Sequence, residues 1–256
     1  MSVIKSFFIS FSIYSKIPVP QFEWKDEDMK YVLCFFPWVG AVIGILTYLW
    51  GIICKDFQLG KLLFAAIGTA IPLLVSGGFH VDGFMDTMDA LHSYQTRERK
   101  LEILKDSHIG AFSVIQIIFY YLIFTGAYSE IDGLRAMAAV GAGYFLSRTI
   151  SGIGVVTLKC AKKEGLLYLF SSKAHEKTVK ISLSIQLFLC VLFLLYLSVL
   201  TGIAVTAGAI LAFLYYRYRC YKEFGGITGD TAGYLVTLCE AVTVVIVSVC
   251  CIAKLI

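Results

Sequence analysis

The sequence predicts an all-α fold: a polytopic transmembrane bundle of about seven spans, its N-terminus cytoplasmic, with an interfacial or re-entrant N-terminal segment. Three observations carry this. Of 256 residues, 58% are hydrophobic and only 16% charged, where a soluble domain carries about a quarter charged. Apolar stretches of about twenty residues, the length that crosses a hydrocarbon core, recur along the whole chain. Lys and Arg gather in alternate connecting segments, as the positive-inside rule requires.

Taken in order, the stretch 6–19 is amphipathic at best and ends in Pro18-Val-Pro20, which suits a segment at the interface. Lys5 precedes the apolar run Phe7 to Tyr14, but no small-residue cleavage site follows, so no cleavable signal peptide is expected. Spans are expected at about 31–53, 60–79, 109–128, 135–156, 181–200, 203–216 and 234–253. The sixth is short and begins after only Thr201-Gly202, so it reads as a tilted span or half of a helical hairpin. With the N-terminus inside, segments 1–30, 80–108, 157–180 and 217–233 hold seventeen basic residues and the outer segments hold four. The C-terminus then lies outside. No internal repeat, low-complexity tract or linker divides the chain, which reads as one domain over 1–256 with site loops at about 76–110 and 222–234.

A net charge of +4 says little about partners, but the bases sit mostly in short loops between spans with no basic surface of interleaved aromatics, so nucleic acid is not an expected partner. Eight cysteines show no CxxC spacing and mostly sit in apolar segments, where they act as small buried hydrophobes.

Acids are unevenly placed. Six of the eighteen fall within 82–106, just after the second span. In "SGGFHVDGFMDTMDALHSY", Asp82, Asp86 and Asp89 stand at i, i+4 and i+7, within about 60° of one another on a helix and about 6 and 4.5 Å apart along its axis. Unpaired like charges at that spacing repel, whereas two or three carboxylates sharing a cation do not. Oxygen-only ligands select a hard ion, Mg²⁺ first and Mn²⁺ or Ca²⁺ second. A solvated helix end accounts for one or two such acids but poorly for three on one face, since no Lys or Arg follows until Arg97.

Counter-charge follows in "QTRERKLEILKDSHIGAF". Arg97, Arg99 and Lys105 form either a salt-bridged surface helix with Glu98 and Glu102 or a basic rim for phosphate oxygens. A second polar knot, "FGGITGDTAGY", places Asp230 among glycines, Gly229 included, at the entry to the last span. Both knots lie on the cytoplasmic side and can meet. Arg148 is the one Arg or Lys well inside a span, where such residues face the protein interior and carry function. His80, His92 and His108 flank the acids as candidate general bases.

"GGFHVDGFMDTMDAL", "RERKLEILKDSHIGAF" and "GGITGDTAGYLVTLCE" resemble, in order and spacing, the signature blocks of the cobalamin-5′-phosphate synthase (adenosylcobinamide-GDP ribazoletransferase) family. "SKIPVP", "FFPWVGAVIG" and "AKKEGLLYLF" are also similar to that family, so the resemblance covers nearly the whole chain. It implies a Mg²⁺-dependent (or Mn²⁺-dependent) membrane transferase of late cobalamin assembly, in the cytoplasmic membrane of a prokaryote with its site facing the cytoplasm. The 3′-hydroxyl of α-ribazole, or of its 5′-phosphate, would attack adenosylcobinamide-GDP and displace GMP. Under the resemblance, Asp82, Asp86 and Asp89 with His80 are the expected catalytic set. Asp106 and Asp230 join the three aspartates as metal ligands. Arg97, Arg99, Lys105, Arg148, Gly229 and Glu240 are expected to bind substrate. The bilayer is a partner, and a homo-oligomer or a complex with other corrin-assembly enzymes stays open.

Three positions depart from the family pattern: Ala90 stands for the usual Gly, His108 for Arg, and Thr237 for an acid. The second of these weakens any phosphate-binding role at 108. Two rival readings are a CDP-alcohol phosphotransferase, whose DGxxAR opening is missing here, and an ion-coupled transporter, whose acids would sit nearer the membrane midplane.

Overall fold

The computed structural model describes residues 2–22, 25 and 27–256, and among them the chain is helical from end to end. Helix α1 spans Ser2–Tyr14 and, after a short 3₁₀ turn at Asp28–Tyr31, α2 runs Val32–Asp56. Then follow α3 (Lys61–Ser76), α4 (Phe79–His92), α5 (Arg97–Ile103), α6 (Ala111–Ser129) and α7 (Leu134–Thr157). The chain closes with α8 (Gly165–Lys173), α9 (Glu176–Leu197), α10 (Val199–Glu223) and α11 (Gly229–Ile252). Among the described residues six helices are long and apolar enough to cross a membrane, α2, α6, α7, α9, α10 and α11, and α3 with α4 makes a seventh if that bent pair counts as one span.

Helix α7 is the post around which the others stand, buried along almost its whole length. Hydrophobicity cannot drive helix association in lipid, so close packing must. The Gly40-xxx-Gly44 pair of α2 supplies it. A Cβ on Gly44 would come within 2.6 Å of the Gly141 carbonyl of α7, and one on Gly40 would strike the Tyr144 backbone. By contrast α6 and α9 turn Ile115, Phe119, Leu122, Phe188 and Leu192 outward, as helices facing acyl chains do.

The expected second span does not continue as one helix. It stops at Ser76, where Gly77 (φ +63°) and Gly78 (φ +82°) both take the left-handed conformation, and α4 leaves at 93° to α3. The Gly78 N–H turns back to the Leu73 carbonyl at 3.2 Å and closes the end of α3. Side chains at two successive positive-φ residues would be strained, so only this Gly-Gly step makes the turn cheaply. The acidic helix therefore turns off the axis of α3 and is none of the six long apolar helices.

The sixth span is not short. Helix α10 has 25 residues and is joined to α9 through Ser198 alone, so the hairpin alternative describes it. Its polar end, Arg217 to Lys222, stays helical because long basic side chains lie along apolar surface with their charges outward. The N-terminal segment is a helix that begins at Ser2, ahead of the expected 6–19. It docks by Ile9, Phe11 and Tyr14, which are buried, with Tyr14 and Phe36 of α2 at 4.2 Å between ring centroids. All eight cysteines are free thiols and six are buried.

Candidate active site

The two polar knots meet. A capping box starts α11: the Thr228 hydroxyl accepts from the Thr231 N–H at 3.2 Å, and the Thr231 hydroxyl accepts from the Thr228 N–H at 2.8 Å. This fixes Gly229 and Asp230 in the first turn. Helix α4 crosses that turn closely because residue 83 has no side chain; a Cβ on Gly83 would lie 2.6 Å from the Asp230 carbonyl oxygen. The segment after α7 adds a third strand of backbone. The Ile227 N–H donates to the Lys159 carbonyl at 2.9 Å, and the Ala161 N–H donates to the Ile227 carbonyl at 2.8 Å.

Between these pieces lies a cavity of about 470 Å³ lined by Asp82, Lys105, Lys162, Glu164, Thr228 and Asp230. Asp82 faces it from the acidic helix and Asp230 from α11. Half-buried Asp86 is pushed up to about 7, first by burial and then by the charges of Asp82, Asp230 and Asp89. Such uncompensated negative charge is what a bound cation relieves.

The three aspartates of the i, i+4, i+7 row do different things. Asp89 accepts the Gly110 N–H at 2.7 Å and the Ser113 N–H at 2.8 Å, holding the N-terminus of α6 as an anion there should. Among the described residues, no three His, Cys, Asp or Glu side chains converge tightly enough to enclose an ion unaided. The donor chemistry still fits Mg²⁺, which keeps several waters and is held through one or two carboxylates together with substrate phosphates.

The other expected residues sort by position. Lys105 lines the cavity, and its ammonium donates to Glu164 at 2.5 Å. Arg97 packs on the second knot, its Nη1 at 2.7 Å from where a Cβ on Gly225 would stand. Gly229 lines the cavity. Arg99 instead forms the exposed i,i+3 pair with Glu102, at 2.6 Å. Asp106 lies outside the cavity lining, its carboxylate accepting from His108, 2.6 Å to the ring Nδ1. Those contacts hold Asp106 below the usual carboxylate range.

Arg148 and Glu240 face each other rather than the cavity, 2.7 Å apart and both buried, with Arg148 also donating to the Tyr144 carbonyl at 2.9 Å. The partner of the intramembrane Arg is thus a glutamate of α11. His92 and His108 lie off the cavity lining: His92 sits on the Met88 carbonyl at 2.8 Å, and His108 is bound to Asp106. His80 is buried behind the cavity.

Lys162 and Glu164 were not singled out by sequence reasoning, although the segment "AKKEGLLYLF" contains both. Lys162 donates to the Leu101 carbonyl at 2.7 Å. Burial, and then the neighbouring Lys105, pull its ammonium below the usual lysine range.

Fold and site together define a polytopic helical membrane protein with an acid-and-lysine cavity at one end of its bundle. A model of the cobalamin-5-phosphate synthase family matches residues 6–248, and the chain belongs to that family of cobalamin-forming transferases. It is 44% identical over 240 residues to the adenosylcobinamide-GDP ribazoletransferase of Lachnoclostridium phytofermentans, covering 94% of this chain and 92% of that one. It is 32% identical to the protein of that name from Clostridium perfringens (92% and 94% covered) and 33% identical to that of Listeria monocytogenes (90% and 92% covered). No solved structure matches the chain.

Proposed function

We propose that the protein transfers adenosylcobinamide phosphate from adenosylcobinamide-GDP to α-ribazole or its 5′-phosphate, releasing GMP, at the cytoplasmic face of a prokaryotic cytoplasmic membrane. The observation that carries this reading is the shared cavity. Carboxylates from α4 and α11 line it together with two lysines from separate loops.

Lys105 and Lys162 meet the pyrophosphate of the donor, each ammonium neutralising part of its charge. Asp82 and Asp230, with Asp86 behind them, would hold Mg²⁺, which would supply positive charge against the pyrophosphate and the leaving GMP. Asp89 fixes the face of α4 by its grip on α6, and Arg97 keeps the Gly225-Gly226 turn in place. The acceptor's 3′-hydroxyl enters from the open side of the cavity, attacks the cobinamide-linked phosphorus and breaks its bond to the GMP oxygen.

The test is direct. Detergent-solubilised protein with adenosylcobinamide-GDP, α-ribazole and Mg²⁺ should release GMP in step with cobalamin formed. Uptake of labelled cobinamide into proteoliposomes with no GMP release would instead mark a transporter.

A further inference from the structure

Behind the acid-lined cavity lies a second, smaller one that the phosphate chemistry leaves unused. It is a slot of about 50 Å³ walled by the rings of Tyr14, Phe36, Phe79 and Phe170, with His80 among them and the backbone of Gly229 and Gly233 as its floor. Phe79, Leu167 and Gly229 line both cavities, so the slot opens off the larger one.

The walls are aromatic and close: Tyr14 to Phe170 is 6.2 Å between centroids, Phe79 to His80 5.5 Å, and Tyr14 lies almost parallel to His80 at 6.2 Å. His80 is only 4% exposed, yet neither ring nitrogen has a hydrogen-bond partner. Buried polar groups are almost always paired, and a neutral imidazole must offer one N–H donor and one acceptor. The lining hydroxyl of Ser151 is already committed, donating to the Ala232 carbonyl at 3.2 Å. The slot thus offers stacking faces together with an unused imidazole.

We infer that this slot receives the planar base of the acceptor nucleoside, with a His80 ring nitrogen meeting the base's free ring nitrogen. The inference rests on the ribazole-transfer reading and names the subsite that reading lacks. Two flat, ribose-linked bases are present in that reaction, and the lining chooses between them. Guanine presents several donors and acceptors that apolar walls would leave unpaired, which is costly. A benzimidazole joined to ribose has one free ring nitrogen and an otherwise apolar edge. At this size the slot takes only the leading edge of a flat ring inserted from the shared edge, and ribose and phosphate stay in the larger cavity. A bicyclic ring enters as Phe79 rotates aside, and Phe79, at 42% exposed, has room to do so.

Two variants test it in the solubilised full chain. Phe170→Leu keeps apolar bulk and removes one stacking face; His80→Phe keeps the ring and removes both nitrogens. Calorimetric binding of α-ribazole to the unmutated protein and to both variants is paired with KM for each substrate at saturating levels of the other. Weakening of α-ribazole binding by about tenfold in each variant, with KM for adenosylcobinamide-GDP within twofold of the parent, supports the inference. A rise confined to the GDP substrate would put guanine in the slot and overturn it, as would unchanged binding of α-ribazole in variants with normal melting temperatures. If the unmutated protein bound α-ribazole but released no GMP, the transfer reading would fail while the base site stood.

Discussion

Removing Arg148 leaves Glu240 as an unpaired carboxylate inside the bundle. The pair is 2.7 Å apart with side chains 1% and 8% exposed, so neither charge can reach water by rotating. Breaking a buried pair from one side costs about 3–5 kcal/mol, and replacing both partners with apolar residues is often near neutral. For a chain of this length each kcal/mol moves the melting temperature by roughly 2–4 °C. Arg148→Leu and Glu240→Leu should therefore each lower the midpoint by roughly 6–20 °C in detergent, while the double variant recovers most of the loss. The assay is a thermal midpoint followed by tryptophan fluorescence, with GMP release measured well below it. If the pair is a clamp between α7 and α11 beneath the site, the double variant regains turnover along with stability. A double variant as stable as the parent yet unable to release GMP would refute this, because it would assign the charges to substrate. Additive losses would refute it too, since partners that act together do not add.

Asp82→Asn and Asp86→Asn should each lower turnover by roughly 10²–10³-fold, the cost of one preorganised charge-stabilising group, with partial rescue when Mg²⁺ is raised or replaced by Mn²⁺; normal turnover at limiting Mg²⁺ would sink the metal reading. Asp89→Asn should in addition lower thermal stability by about 1 kcal/mol, the usual loss when a helix N-terminus loses its anion or cap, which a thermal scan against Asp82→Asn detects. Gly83→Ala should push the first turn of α11 away from α4 and cost about 1–3 kcal/mol by overpacking, with turnover falling more than stability; an unaltered rate would mean the crossing is not tight. A membrane-impermeant thiol reagent applied to intact cells should label a cysteine placed at Asp132 and not one at Ser93, and labelling of Ser93 from outside would reverse the orientation.

The bundle was legible because a bilayer asks only for apolar length, and six of the spans could be read from it. The bend at Gly77-Gly78 was not, because glycine is ordinary in membrane helices and the expected span ran smoothly through it. The meeting of the two knots followed from their shared side of the membrane, but how closely they cross depends on Gly83, one residue that also looks like any other glycine. The Arg148 partner lies 92 residues away on a different helix. Spacing cannot reveal that. Asp89 and Asp82 are the same residue type about two turns apart on one helical face, and only the position of α6 shows that one carboxylate holds a helix end while the other faces a cavity. Lys162 escaped notice because adjacent lysines in a loop read as a topology signal.

The sharp turn after Ser76 leaves α3 with only 16 residues, a rise of about 24 Å against a hydrocarbon core of about 30 Å. Its neighbour α6, with 19 residues, reaches about 28 Å. Both present lipid-facing side chains, Leu62, Leu63 and Leu74 on α3 among them. On this flank the bilayer must thin to match, at a cost of fractions of a kcal/mol per ångström. A headgroup layer thinned in this way would dip toward the acidic helix, and under the proposed reaction it would bring the polar nucleoside and the amphiphilic corrinoid to one cavity at the interface. Acyl-chain length then becomes a variable of catalysis: reconstitution in short-chain lipid should favour the enzyme, and thick bilayers should strain α3 before any other span.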